Sequence, residues 1–146
     1  MNYTKLNTVL TREVLFEKYN DISNYTVLTD FDTWNKSIDP HSISKAIKNL
    51  KKLKIQLYGE IMNEYSMGHL EKTISLFNVS HKINDVFLKN NKIYGDVTIL
   101  DTPSGKIIQK LIDNKINIQF RIRTMGLVVD AETVRLKEII TWDIIN

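Results

Sequence analysis

"KIYGDVTILDTPSGKIIQKLIDN" spans Lys92–Asn114 and changes its period half-way. From Lys92 to Leu100 the β-branched and aromatic content is that of a strand. Thr102 and Pro103 then mark a helix start: a hydroxyl that caps orphan N–H groups, followed by a proline at the first helical position. Ile107, Ile108, Leu111 and Ile112 recur at helical spacing and form an apolar stripe. A strand feeding directly into a capped amphipathic helix sets the pattern for the rest of the chain, which reads as α+β.

Working outward, Asn90-Asn91 separates this strand from an earlier β-rich run near Leu76 to Leu88, and two asparagines tolerate the backbone angles of a hairpin. Asp39 and Pro40 repeat the helix-start logic, with Ile43, Ile47 and Leu50 on one face, so a helix runs from Pro40 to about Leu53. Strands are expected at Asn24 to Phe31, at Lys54 to Met62 with a bend at Gly59, and through "ETVRLKEIITWDII" at 132–145. After the second helix, Ile116, Ile118, Phe120 and Ile122 alternate with Asn117, Gln119, Arg121 and Arg123, as in a half-buried strand. The sum is five to seven mostly antiparallel strands with two helices, closed or nearly closed into a small barrel-like sheet. Residues 1–24 read as an arm or a short helix (Val9 to Tyr19), and 25–146 as one domain.

The chain has 146 residues, 42% hydrophobic and 25% charged, with five glycines and two prolines, the balance of a single soluble domain. Net charge is +3, but no Lys/Arg block is interleaved with aromatics, so nucleic acid is not expected as a partner. The densest basic run, Lys48 to Lys54, reads as the wet face of a helix. No cysteine occurs, which excludes disulfides, thiolate metal sites and a cysteine nucleophile. Nothing has the pattern of a signal peptide or a membrane span, so a membrane location is not expected.

Candidate chemistry is sparse. His41 and His69 read as surface residues without metal-ligand spacing, and no metal or cofactor is expected. His81 lies inside a strand beside Ser80, where a buried imidazole must find hydrogen-bond partners. Neighbours on one strand point to opposite faces, so Ser80 is not expected to serve His81. Ser104 and Gly105, just inside a helix N-terminus, form a passable anion site without the glycine spacing of a phosphate loop. Glu60 and Asp143 are the carboxylates expected to face inward.

Five pieces in this order, "NKSIDPHSISKAIKNL", "LYGEI", "NVSHKI", "YGDVTILDTPSGKIIQKLID" and "IITWDII", resemble the prohead (head-maturation) proteases of tailed bacteriophages, of the T-even-like type. The resemblance covers about residues 25 to 146, and "ILDTPSGKII" is its most specific part. It implies a serine endopeptidase fold similar to the herpesvirus assemblins, with His81 as the general base and Arg123 as the arginine near the oxyanion site. Asp143 is the candidate third member. The family's nucleophile belongs to a V-S-S-R-G strand, and anchoring on Arg123 puts Arg121 and Ile122 where the two serines belong. A guanidinium has no lone pair with which to attack a carbonyl, and loss of a triad nucleophile costs about a millionfold in rate.

The resemblance therefore implies a catalytically inactive protease-like protein with a structural or assembly role in the capsid or virion. Its partners would be capsid, scaffold or other virion proteins, an active paralogue or further copies of itself. Its location would be the procapsid or virion, and the host cytoplasm during assembly. The alternative is an active endopeptidase that cleaves scaffold and capsid proteins, with Thr124 re-aimed by a bulge as nucleophile. Relatives carry a histidine-proline after G-E-L and continue beyond the piece matching "IITWDII", so an altered substrate loop and a missing or partner-supplied last part of the fold are also implied. Arg121 or Arg123 is expected to pair with Asp143 or Glu60, and replacing Arg121 by Met would then lower stability.

Overall fold

The computed structural model describes residues 25–34, 37–53, 57–62, 74–75, 77–125, 128–129 and 133–145. The arm at 1–24, Asn24 and His69 lie outside the described residues. Two helices form where the caps require. α1 spans Pro40–Lys52, with the Asp39 carboxylate accepting from the His41 N–H, and buries Ile43, Ala46 and Ile47. α2 spans Pro103–Asp113, with the Thr102 hydroxyl accepting from the Gly105 N–H, and buries Ile108 and Ile112. α2 ends with Lys115 at φ 60, while the Ile116 N–H donates to the Leu111 carbonyl. Ile116 is therefore part of the helix stop and half exposed, not a core-facing strand residue as the alternation suggested.

The main sheet has six strands in the order β1 (Tyr25–Asp30), β5 (Lys92–Ile99), β4 (Val79–Lys89), β3 (Leu57–Met62), β9 (Glu138–Ile145) and β6 (Gln119–Met125). It curls so that its two edge strands, β1 and β6, approach each other, giving a half-barrel. β2 (Ser37–Ile38), β8 (Thr133–Arg135) and β7 (Val128–Val129) form a separate small sheet. The stretch "ETVRLKEIITWDII" thus divides: β8 leaves for the small sheet and β9 enters the large one. In the β4–β5 hairpin, Asn90 and Asn91 adopt φ 51 and 64, the left-handed angles a two-residue loop demands.

Trp142, Ile93, Val97, Ile108, Ile112 and Ile144 sit fully buried at the centre of the core. The Trp142 indole N–H donates to the Thr29 hydroxyl at 2.8 Å, tying β9 to β1 across it. Most sheet neighbours are antiparallel, but β3 and β9 run parallel through Ile61↔Ile144 and Met62↔Ile145. Below those pairs side chains join the strands. The Thr141 hydroxyl donates to the Tyr58 carbonyl at 2.7 Å, and the Asp143 carboxylate accepts from the Glu60 N–H at 3.0 Å. Among the described residues no helix is long and apolar enough to cross a membrane.

Candidate functional site

The joint between β3 and β9 is where the sequence-derived site residues meet. His81 on β4 lies opposite Gly59 on β3. Its ring reaches across that glycine to β9, where the Trp142 carbonyl oxygen is 2.7 Å from Nε2. A side chain at residue 59 would collide with the imidazole and with that carbonyl, so the glycine is the opening through which the ring passes. A carbonyl oxygen only accepts, which assigns the proton to Nε2 and leaves the Nδ1 lone pair free to accept.

Nδ1 is 2.7 Å from the Ser80 hydroxyl, contrary to the expectation that the two residues face apart. The register explains the difference. Gly59 pairs with His81 but Glu60 pairs with Val79, so Ser80 is the extra residue of a β-bulge. A bulge turns two successive side chains toward one side, and Val79, Ser80 and His81 are all buried in succession. By distance this is a serine–histidine pair. By access it is closed, since Ser80 and His81 are both 0% exposed.

Phe120 of β6 stands edge-on to the imidazole, with ring centroids 5.9 Å apart. Burial pushes the His81 pKa down to about 3, against the pull of the Trp142 carbonyl, and the nearby Arg123 charge pushes it in the same direction. The ring is thus held neutral, its nitrogens occupied by groups of the chain itself.

Arg123 is the second component. The Arg123 Nε–H donates to Asp143 Oδ2 at 2.9 Å, and Nη2 donates to Asp143 Oδ1 at 2.7 Å and to Glu60 Oε2 at 2.9 Å. All three side chains are buried. Burial works against the guanidinium charge, but Asp143 and Glu60 outweigh it and leave the Arg123 pKa above its ordinary value. Burial pushes the Asp143 carboxyl upward, against the arginine and the Glu60 N–H. The neighbouring Glu60 charge adds to the upward push on Asp143.

Arg121 takes no part in this network. It sits opposite Asp143 in the β6–β9 register, yet it is exposed, and the carboxylate bonds diagonally to Arg123. The expected pairing therefore falls to Arg123, with both acids, and the basis for a stability loss in Arg121→Met is removed. Arg121, Ile122 and Thr124 line a cavity of about 380 Å³ at the seam between β6 and β1, with Thr29, Asp30 and Trp34 opposite. A register shift does occur beside Thr124, but the extra residue is Ile140 on β9.

The α2 N-terminus is internally satisfied rather than open to an anion. The Thr102 hydroxyl donates to the Val79 carbonyl while accepting from Gly105, and both Ser104 and Gly105 are buried. A Cβ on Gly105 would strike the Leu100 carbonyl, so the glycine lets the helix sit on the strand end. His41 is exposed, as expected. Among the described residues no group of three His, Asp or Glu side chains is arranged to hold a metal ion.

Two contributors escaped the sequence reading. Phe120 reads in the sequence only as one apolar residue of an alternating strand, and the Trp142 carbonyl is a backbone group that no side-chain motif announces. Gly59 carried the usable signal, because a glycine inside a strand marks close approach of another group.

No protein-family model matches this chain, and no curated protein matches it. Among solved structures, the fold is similar to that of the bacteriophage T4 capsid assembly protease, with a TM-score of 0.62 and 17% identity over 84% of this chain and 79% of that one.

Proposed function

We propose that this chain is a catalytically silent counterpart of a capsid assembly protease, serving a structural or assembly role in a tailed-phage head. The observation that carries the proposal is the sealed imidazole. The sequence resemblance matches His81 to the general base of the prohead proteases, but its nitrogens engage Ser80 and the Trp142 carbonyl, and Phe120 stands at its edge. General-base catalysis requires a nitrogen within reach of a proton on an accessible nucleophile. The β6 positions matched to the nucleophile carry Arg121, exposed, and Ile122, half-buried, neither with a hydroxyl. Arg123, matched to the oxyanion arginine, spends its donors on Asp143 and Glu60.

The partners that fit such a role are capsid, scaffold or other virion proteins, an active paralogue or further copies of the chain. The place of action is the procapsid or virion, after synthesis in the host cytoplasm. One observation favours the rival, an active endopeptidase: the Ser80 hydroxyl is within reach of Nδ1. Its complete burial weighs against that, because no peptide carbonyl meets Oγ without the β3–β4 bulge opening.

Mass spectrometry of purified mature particles tests the role. Intact chain, retained in many copies, is the expected result. Chain fragmented at its own cleavage sites, or absent from mature heads while present in proheads, would overturn the assignment in favour of a self-removing protease.

A further inference from the structure

The hairpin of β4 and β5 carries a distinctive order of side chains on its outer face. The register slips between Ile83 and Asp85, leaving Asn84 bulged with its amide on the Thr98 hydroxyl. An extra residue reverses the alternation beyond it, so Val86 turns into the core while Asp85, Phe87 and Lys89 turn outward. In register across the hairpin they meet Asp96, Tyr94 and Lys92 of β5. Three successive outward pairs are therefore acid on acid, ring on ring and lysine on lysine.

Like charges directly opposite each other on a sheet are destabilising, and here they stand at both ends of one short face. The acid end is relieved within the chain: Asp85 faces Lys51 at 3.5 Å and accepts from the Tyr25 hydroxyl at 2.8 Å, yet its side chain stays 46% exposed. The lysine end lacks such relief. Among the described residues neither Lys89 nor Lys92 has an ion-pair partner, and Asp30, opposite Lys92 on β1, turns its carboxylate to accept from the Asp32 N–H. Between the two ends the rings form a half-buried platform, with Phe87 stacked on Tyr94 at 5.2 Å and tilted against Tyr25 at 5.2 Å.

We propose that a second copy of the chain seats on this face, related by a two-fold axis that runs across the strands at the level of Phe87 and Tyr94. Asp85 and Lys89 lie equally far from Phe87 on either side, as Asp96 and Lys92 do from Tyr94. A half-turn about that axis reverses the strand direction and lays the partner's Asp85 over Lys89, the partner's Asp96 over Lys92, and ring over ring at the centre. The contact is isologous, so each charge pair is made twice. Two facing sheets stand about 10 Å apart, a gap that lysine and aspartate side chains fill from opposite walls. The face is narrow, so the dimer is a weak one that forms at high concentration. Further copies of the chain are one class of partner in the proposed role; this face stands apart from the His81 joint and pairs alike in an active or a silent chain.

Sedimentation velocity on the full-length chain, from about 10 μM to about 1 mM, tests this with two charge-reversed variants. Lys89→Asp with Lys92→Asp leaves acids at both ends of the face, and Asp85→Lys with Asp96→Lys leaves lysines at both. The expected result is a wild-type dimer that grows with concentration, is lost in each variant alone, and returns as a heterodimer when the two are mixed, with circular dichroism melts showing both variants folded. A wild-type chain that stays monomeric across the range would overturn the proposal whatever the variants do. A dimer that persists in the Lys89/Lys92 variant would also overturn it, since it would form through another surface, as would folded variants that fail to associate when mixed.

Discussion

Arg123 and His81 are neighbours in the same dry joint, and burial acts on them in opposite directions. The arginine keeps its charge because two carboxylates surround it, whereas the histidine remains neutral because charging it would cost more than its hydrogen bonds return. Arg123→Met strands two acids in the interior and is expected to cost about 3–5 kcal/mol in urea unfolding. Arg121→Met, at an exposed position, is expected to change stability by no more than about 0.5 kcal/mol. Equal effects would contradict the assignment of the ion pairs.

For His81 the folded pKa, about 3, lies below the ordinary 6.5, so the folded protein resists protonation of the ring. Its contribution to stability is whole above pH 6.5 and is lost as pH falls from there toward 3, at about 1.4 kcal/mol per pH unit. Urea midpoints measured across that range should show the wild type losing its advantage over His81→Gln as pH drops. A constant difference would mean that the ring is not held neutral. Alternation alone places Arg121 and Arg123 on one face, and nothing local separates them. Their different fates come from Glu60 and Asp143, which the sheet brings in from two other strands.

At the scale of elements, the most legible features were those whose physics is local. Asp39-Pro40 and Thr102-Pro103 announced both helix starts to the residue, and Asn90-Asn91 announced the hairpin, because caps and tight turns are satisfied within a few residues. The bulges at Ser80 and Asn84 were not legible, since an extra residue exists only relative to a partner strand. The Ser80 bulge is also what reversed the expected geometry of the serine–histidine pair. Thr102→Ala removes an acceptor for the Gly105 N–H and a donor to the Val79 carbonyl together, and should cost about 1–2 kcal/mol by thermal or urea unfolding. A neutral result would show that the junction between α2 and β4 is held by packing rather than by this hydroxyl.

At the scale of the whole molecule, the α+β class and the curled sheet were readable from period and turn chemistry. The division of the C-terminal stretch between two sheets was not, because β8 and β9 share the same β-rich composition. The likeness to the T4 capsid assembly protease concerns the fold; the proposed silence concerns a few side chains set into it. On the proposed function, the joint filled by an imidazole, a guanidinium and two carboxylates is a conversion of the matched catalytic positions into polar packing. Labelling with a serine-directed fluorophosphonate tests that conversion most directly. The wild-type chain is expected to remain unlabelled, like Ser80→Ala and His81→Ala; labelling of the wild type that disappears in His81→Ala would contradict the account.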